Sequence, residues 1–357
     1  DFLLGYSYET GGAAKEANAS LRSTYWAGYF SDSFKINSRL SLNFGIRYEF
    51  IHPFKNINDE SANIAGLDTG NPYLVRASNL GTGRDPYEGE IVRFRDVKIV
   101  RDGSLGAGLY PPDHNDWAPR LGLAYSLTHR TVLRAGFGTY YSLIDLGNSY
   151  YDMARTLAGL RRENNNLDFP DLLLNNPFRG STGGGIGSAG LIEIIKPLIL
   201  ANSLNMRTTY VHQWSFTVQR SLSSNLMVEA GYVGSQGHRL RKMNGRNEPP
   251  AGPGSIDPRR PFQAFGWIQY PDSVGNSTYN ALQLKLERRF ATGFTVLAGY
   301  TYGKSIDDTS GLRPGGGDTL FVNNPACVNG CERARSGFDT KQRFVASGLY
   351  ELPIGRG

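Results

Sequence analysis

The stretch RLSLNFGIRYEF, Arg39 to Phe50, decides how this chain is read. Its even positions are Leu40, Leu42, Phe44, Ile46, Tyr48 and Phe50, and its odd positions are Arg39, Ser41, Asn43, Gly45, Arg47 and Glu49. Strict alternation of this kind belongs to a strand with one apolar and one polar face. In a soluble sheet the apolar face would turn into a core. In an outer-membrane barrel it would turn outward into lipid, and the polar face would line a lumen.

The neighbouring sequence favours the second arrangement. Tyr25 to Ile36 pairs naturally with Arg39 to Phe50 across Asn37 and Ser38, a tight polar turn, and Trp26, Gly28, Phe30, Phe34 and Ile36 continue its apolar face. The same unit recurs in PRLGLAYSL with TVLRAGFGTYY, in YVHQWSFTVQR with NLMVEAGYVG, and in YNALQLKLERRF with FTVLAGYTYGK, followed by a further strand in QRFVASGLYELP. With a partial strand at the start this predicts about ten strands, each near the roughly 9 to 11 residues that cross a tilted bilayer path. Short turns alternate with long loops, the first a polar excursion from about His52 to Asp116. Short turns at one end and long loops at the other are the connectivity of an outer-membrane barrel. Trp26, Tyr48, Trp117, Tyr141, Tyr210, Trp214, Tyr300 and Tyr302 fall toward the long-loop ends, as an interfacial girdle would. Asp32 and Arg288 break the apolar face close to the short turns, where a charge costs little.

Composition agrees. The 357 residues include 44 Gly and are 12% aromatic, yet only 39% are hydrophobic. No run approaches the roughly 18 to 20 apolar residues of a spanning helix. The net charge of +6 is spread among acidic residues with no nucleic-acid-binding motif, so no nucleic-acid partner is expected. Asp1 opens no signal peptide and the last residues run from a strand into a turn, so both ends read as cut from something larger.

These units resemble the barrel of TonB-dependent outer-membrane transporters of the Oar-like, acidobacterial type. The resemblance is carried by YWAGYFSDSFKINSRLSLNFGIRYEF, NDWAPRLGLAYSL, STYNALQLKLERRFATGFTVLAGYTYGKSIDD and FDTKQRFVASGLYELPIG. It implies a 22-stranded barrel, an N-terminal plug and a TonB box, and neither of these last two is read within residues 1–357. Residues 1–357 are accordingly expected to be an internal part of the barrel domain, in the bacterial outer membrane, with lipid, lipopolysaccharide, its own plug and TonB as partners. The transported ligand, whether siderophore, cobalamin, oligosaccharide or peptide, carries no recognisable code.

Several motifs could carry chemistry. Arg47, Glu49, Arg120, Arg134, Glu229, Lys285, Glu287 and Arg343 form a predicted lumen row, suited to hold a plug or a ligand. Arg239, Arg241, Lys242 and Arg246 in HRLRKMNGR are either lipopolysaccharide-phosphate contacts or a solvated basic loop. GIGSAG, residues 185–190, matches G-x-G-x-x-G but lacks the strand and helix a dinucleotide needs. His52, His114, His129, His212 and His238 are dispersed, with no pair at metal-ligand spacing, and Asp113, His114 and Asp116 read as a turn before a strand. No nucleophile and base can be assembled, so no catalytic residues and no cofactor are expected. Cys327 and Cys331 share one polar loop and leave room for a single local disulfide. A structural or adhesive barrel without active uptake is the alternative to transport, and an outer-membrane hydrolase a more distant one.

Overall fold

A computed structural model describes residues 4–7, 9–13, 19–79, 81–88, 90, 92–142, 153–164, 173, 192–291, 293–311, 331–352 and 354. Nine long strands carry the fold: β1 (Tyr25–Lys35), β2 (Leu40–Ile51), β3 (Trp117–Thr128), β4 (Thr131–Ser142), β5 (Thr209–Ser221), β6 (Leu226–Gly245), β7 (Ile268–Ala291), β8 (Phe294–Asp307) and β9 (Gln342–Tyr350). Each pairs antiparallel with the next, and two-residue strands at Ile199–Leu200 and Ala334–Arg335 bring the sheet to 11. The N-terminal segment expected to supply a partial strand instead places Glu9–Ala13 against Leu160–Asn164, in a separate two-stranded sheet.

Register makes the two faces explicit. One ladder row runs Leu40, Tyr125, Leu133, Val218, Ala230, Leu284, Tyr300 and Phe344 across eight strands. The next row, one residue along, runs Ser41, Ala124, Arg134, Thr217, Gly231, Gln283, Thr301 and Arg343. Since side chains alternate between faces, these rows lie on opposite sides of one sheet. The apolar side leaves Trp26, Phe30, Phe44, Leu121, Phe216 and Phe344 exposed, among other large side chains. A continuous apolar band of this extent is far beyond what a soluble monomer presents to water.

The hydrophobic core lies elsewhere. The long connections fold over one end of the sheet, and the largest fully buried apolar side chains, Phe265, Ile64, Leu74, Leu109, Met153, Ile199 and Ile268, all belong to that cap. Fully burying such a side chain contributes about 1.5 to 3 kcal/mol. Ala62–Ala65, Tyr73–Arg76 and Ile99–Val100 form a small sheet within the cap. Inside it Arg101 is ion-paired with Asp59, and Arg76 Nη2 lies 2.7 Å from Glu90 Oε1. The excursion expected to be polar thus contains a packed unit. Its apolar residues are interspersed with turns and lack the period of a long element.

Two strands run past the lengths predicted. β6 continues through His238 to Gly245 and β7 begins at Ile268, so HRLRKMNGR is almost wholly strand. This ribbon carries Met243, Tyr270 and Ile268 up into the cap. The two charges on the apolar face have local partners: Asp32 Oδ1 accepts the Ser33 N–H at 2.7 Å, and the Arg288 guanidinium lies 5.5 Å from the Phe294 ring centre.

Leu42 and Asn43 are adjacent and face opposite ways, paired with Leu123 and Gly122 respectively. Leu42→Arg puts a charge on the apolar face and is expected to impair assembly, at less than the about 2 to 4 kcal/mol of a bilayer midplane because the turn is close, whereas Asn43→Arg should assemble normally. Heat-modifiable migration of folded protein measures both, and equal tolerance would overturn the facing.

Candidate functional site: the polar face and its cap

The ladder puts all eight predicted lumen-row residues on the polar face. Arg47 is ion-paired with Glu49 and donates from Nη2 to the Tyr25 hydroxyl at 2.7 Å. Arg134 donates to Gln219, and Lys285 Nζ lies 3.0 Å from Glu287 Oε2. Glu229 stands opposite Lys285, and Arg343 opposite Thr301. Arg120 stacks over the Tyr140 ring at 4.7 Å, and Tyr140 in turn covers Gly138, where a Cβ would meet the ring at 2.9 Å. Tyr29, Asn43, Arg47, Arg120, Tyr140 and Gln213 line a groove of about 1020 Å³ on this side. It offers cations, carboxamides and phenols, a surface made for hydrogen bonding.

Where the sheet meets the cap, one buried carboxylate gathers three segments. Asp113 accepts from Arg207 Nη1 at 3.3 Å, Arg239 Nη1 at 3.2 Å and the Thr208 N–H at 3.2 Å. The Asn115 N–H reaches it as well, at 3.3 Å, which is the turn expected before β3. Asp116, fully buried, accepts from the Thr208 hydroxyl at 2.7 Å. Its other oxygen has no hydrogen-bond partner among the described residues, and burial pushes this carboxyl up to about 6. His114 stacks on Phe50, ring centres 4.7 Å apart. The DHNDW stretch therefore fastens the cap to the sheet. Sequence spacing could not reveal this, because Arg207, Thr208 and Arg239 come from distant segments.

The basic cluster of HRLRKMNGR faces mainly inward. Arg241 and Lys242 are buried, Arg239 is held by Asp113, and Arg246 Nη2 lies 2.5 Å from Asp68. The rim placement expected for lipopolysaccharide contact does not fit the two buried cations, since strand β6 carries them into the cap. Among the described residues no group of three His, Cys, Asp or Glu side chains could hold a metal ion. Residues 185–190 and Cys327 lie outside the described residues, and Cys331 is disulfide-bonded.

A two-faced antiparallel sheet with all its long connections at one end is the framework of a membrane barrel, and the chain belongs to the outer membrane beta-barrel domain family, whose model matches residues 1–357. Its place is the bacterial outer membrane. Among solved structures it is similar to the outer-membrane transporter YddB from Escherichia coli, at 13% identity and a TM-score of 0.46, covering 84% of this chain and 26% of that one. It is also similar to the ferripyoverdine receptor of Pseudomonas aeruginosa, at 10% identity and a TM-score of 0.42, covering 93% and 26%. A third is the alcaligin outer-membrane receptor FauA from Bordetella pertussis, at 11% identity and a TM-score of 0.39, covering 94% and 35%. The chain thus spans about a quarter to a third of the length of these structures. No curated protein matches it.

The junction yields a test with opposite outcomes. Asp113→Ala removes the acceptor shared by Arg207 and Arg239 and should loosen the cap by about 1 to 3 kcal/mol. For Asp116 the buried carboxyl titrates above its ordinary value, so its contribution is greatest below pH 4 and is lost as pH rises through about 6. Asp116→Asn should therefore slow cap opening at pH 7.5 and flatten its pH dependence. Hydrogen exchange of residues 52–116 reads both. Faster exchange in Asp116→Asn at pH 7.5 would refute the assignment.

Proposed function

We propose that this chain is an internal part of the barrel of a TonB-dependent transporter of the Oar-like type, which admits a scarce ligand too large for porins. Its upstream part would supply the plug and the TonB box. The cap takes the first contact with ligand, and the polar face holds the plug through hydrogen bonds and ion pairs. Siderophore, cobalamin, oligosaccharide and peptide all suit a face of this chemistry. The step is capture and passage, without bond-making on the ligand.

The observation that carries this reading is the polar face itself. A water-filled lumen tolerates charge, but here Arg47, Arg120, Tyr140 and Gln213 converge on one large groove. Such a surface needs a polar partner larger than water to be used. The quoted family motifs supply the second support. The flanks of β1 and β9 that have no partner among the described residues supply a third, since a barrel in lipid leaves no strand edge unpaired.

Planar-bilayer conductance tests the plug. The full native reading frame is expected to be nearly silent, and a version lacking the segment upstream of Asp1 should conduct strongly. Equal conductance of the two, or an upstream sequence without a TonB box, would favour a structural or adhesive barrel. The Cys327–Cys331 bridge is part of the same proposal, since an extracellular loop lies in an oxidising environment. Protein from native outer membrane should bind thiol reagent only after reduction, and two reactive thiols beforehand would refute the bridge.

A further inference from the structure

The dispersed histidines are not dispersed in space. His212 on β5 and His238 on β6 share the apolar side of the sheet near its cap end, their ring centres 5.6 Å apart and the planes at 67°. Tyr210 lies 5.1 Å from each ring. Adjacent strands produce this. Tyr210 pairs with His238 and His212 with Gln236, so the two imidazoles are diagonal neighbours on one face.

Both rings are oriented by partners on opposite flanks. His212 Nδ1 is 3.0 Å from the Thr139 hydroxyl on β4, itself buried. His238 Nδ1 is 3.2 Å from Asn276 Oδ1 on β7. An Nδ1–H given to an oxygen acceptor leaves Nε2 as the lone-pair nitrogen, and this arrangement behind each ring is what fixes a metal-ligating histidine. The nearby cation, Arg239, lies 5.4 Å from the Tyr210 ring and is neutralised by Asp113. Both imidazoles are half-buried.

We propose that Nε2 of His212 and Nε2 of His238 form a two-imidazole site for a divalent transition-metal ion, Cu²⁺ or Zn²⁺. Imidazole nitrogen suits these ions, and water or the Tyr210 phenol would complete the coordination. The site sits just below the point where the β6–β7 ladder shifts register, between Gly237 and Leu240, and where Arg239 adopts a φ of 55°. A bound ion would tie β5 to β6 at the base of the ribbon that enters the cap. The inference does not depend on whether the barrel transports.

The native full-length protein, folded in detergent, is titrated with Cu²⁺ and Zn²⁺ by calorimetry, and the Cu²⁺ form is examined by electron paramagnetic resonance. One equivalent with two-nitrogen coupling is expected. His212→Ala and His238→Ala should each weaken binding more than tenfold, and Thr139→Val and Asn276→Leu by about tenfold through lost ring orientation. His129→Ala should bind as the native protein does. Binding should also weaken on acidification, because protons compete with the metal for imidazole nitrogen. Heat-modifiable migration verifies folding, and His238→Gln replaces any alanine variant that does not assemble. Absence of saturable Cu²⁺ binding at neutral pH, or native affinity in folded variants of both histidines, would overturn the proposal.

Discussion

The structure depends on one constraint, that backbone N–H and C=O groups in hydrocarbon have no water to fall back on. Each one left unpaired there costs several kcal/mol. The ladder from β1 to β9 meets this demand strand by strand, and in doing so it fixes which way every side chain points. A slip of one residue would exchange the row headed by Leu40 with the row headed by Ser41. The constraint also identifies the two weak places in the sheet. All residues of β1 and of β9 are exposed, and among the described residues each of these strands has a neighbour on one flank.

Within the ladder, glycine and aromatic residues work as pairs. A Cβ on Gly234 would collide with the Trp214 indole, and one on Gly303 would press on the Tyr279 ring at 3.1 Å. Glycine weakens a strand through its entropy and its missing side chain, but a ring laid over it restores the contact. Trp214 does this on the apolar side, and Tyr140 over Gly138 on the polar side. This accounts for a chain rich in glycine and tyrosine that still forms long regular strands.

Such features were legible in the sequence where periodicity was undisturbed. Arg39 to Phe50 announced β2 and its facing, and the paired units announced β3 to β5 with ends correct to a residue or two and β8 to within three. The extension of β6 and β7 was not legible, because past Gly234 the alternation gives way to a register shift and to residues buried on both sides, Arg241, Lys242 and Met243 among them. The cap was invisible for a related reason. Its core is assembled from short pieces, Ile64, Leu74, Ile199 and Phe265, whose contacts are long-range. Asp113 and Asp116 looked like ordinary turn residues because their partners lie nearly a hundred positions away or more, at Thr208 and Arg239.

Arg239 joins these levels. Its backbone sits at a positive φ, a strained position for a residue with a side chain. Its guanidinium reaches Asp113 in the junction and covers the Tyr210 ring on the sheet. Its carbonyl accepts from the Thr209 hydroxyl at 2.8 Å. The strain is held by three separate contacts, one to the excursion after β2 and two to the start of β5. A displacement of the cap that drew Asp113 away would release the side chain and, with it, the reason for the unusual backbone. The ribbon would then be free to straighten through the register shift that follows Gly237. Arg239 is thus one of several links between cap and sheet, beside Thr208 on Asp116, Arg246 on Asp68 and the pairing of Ile199–Leu200 with Ile268 and Gln269.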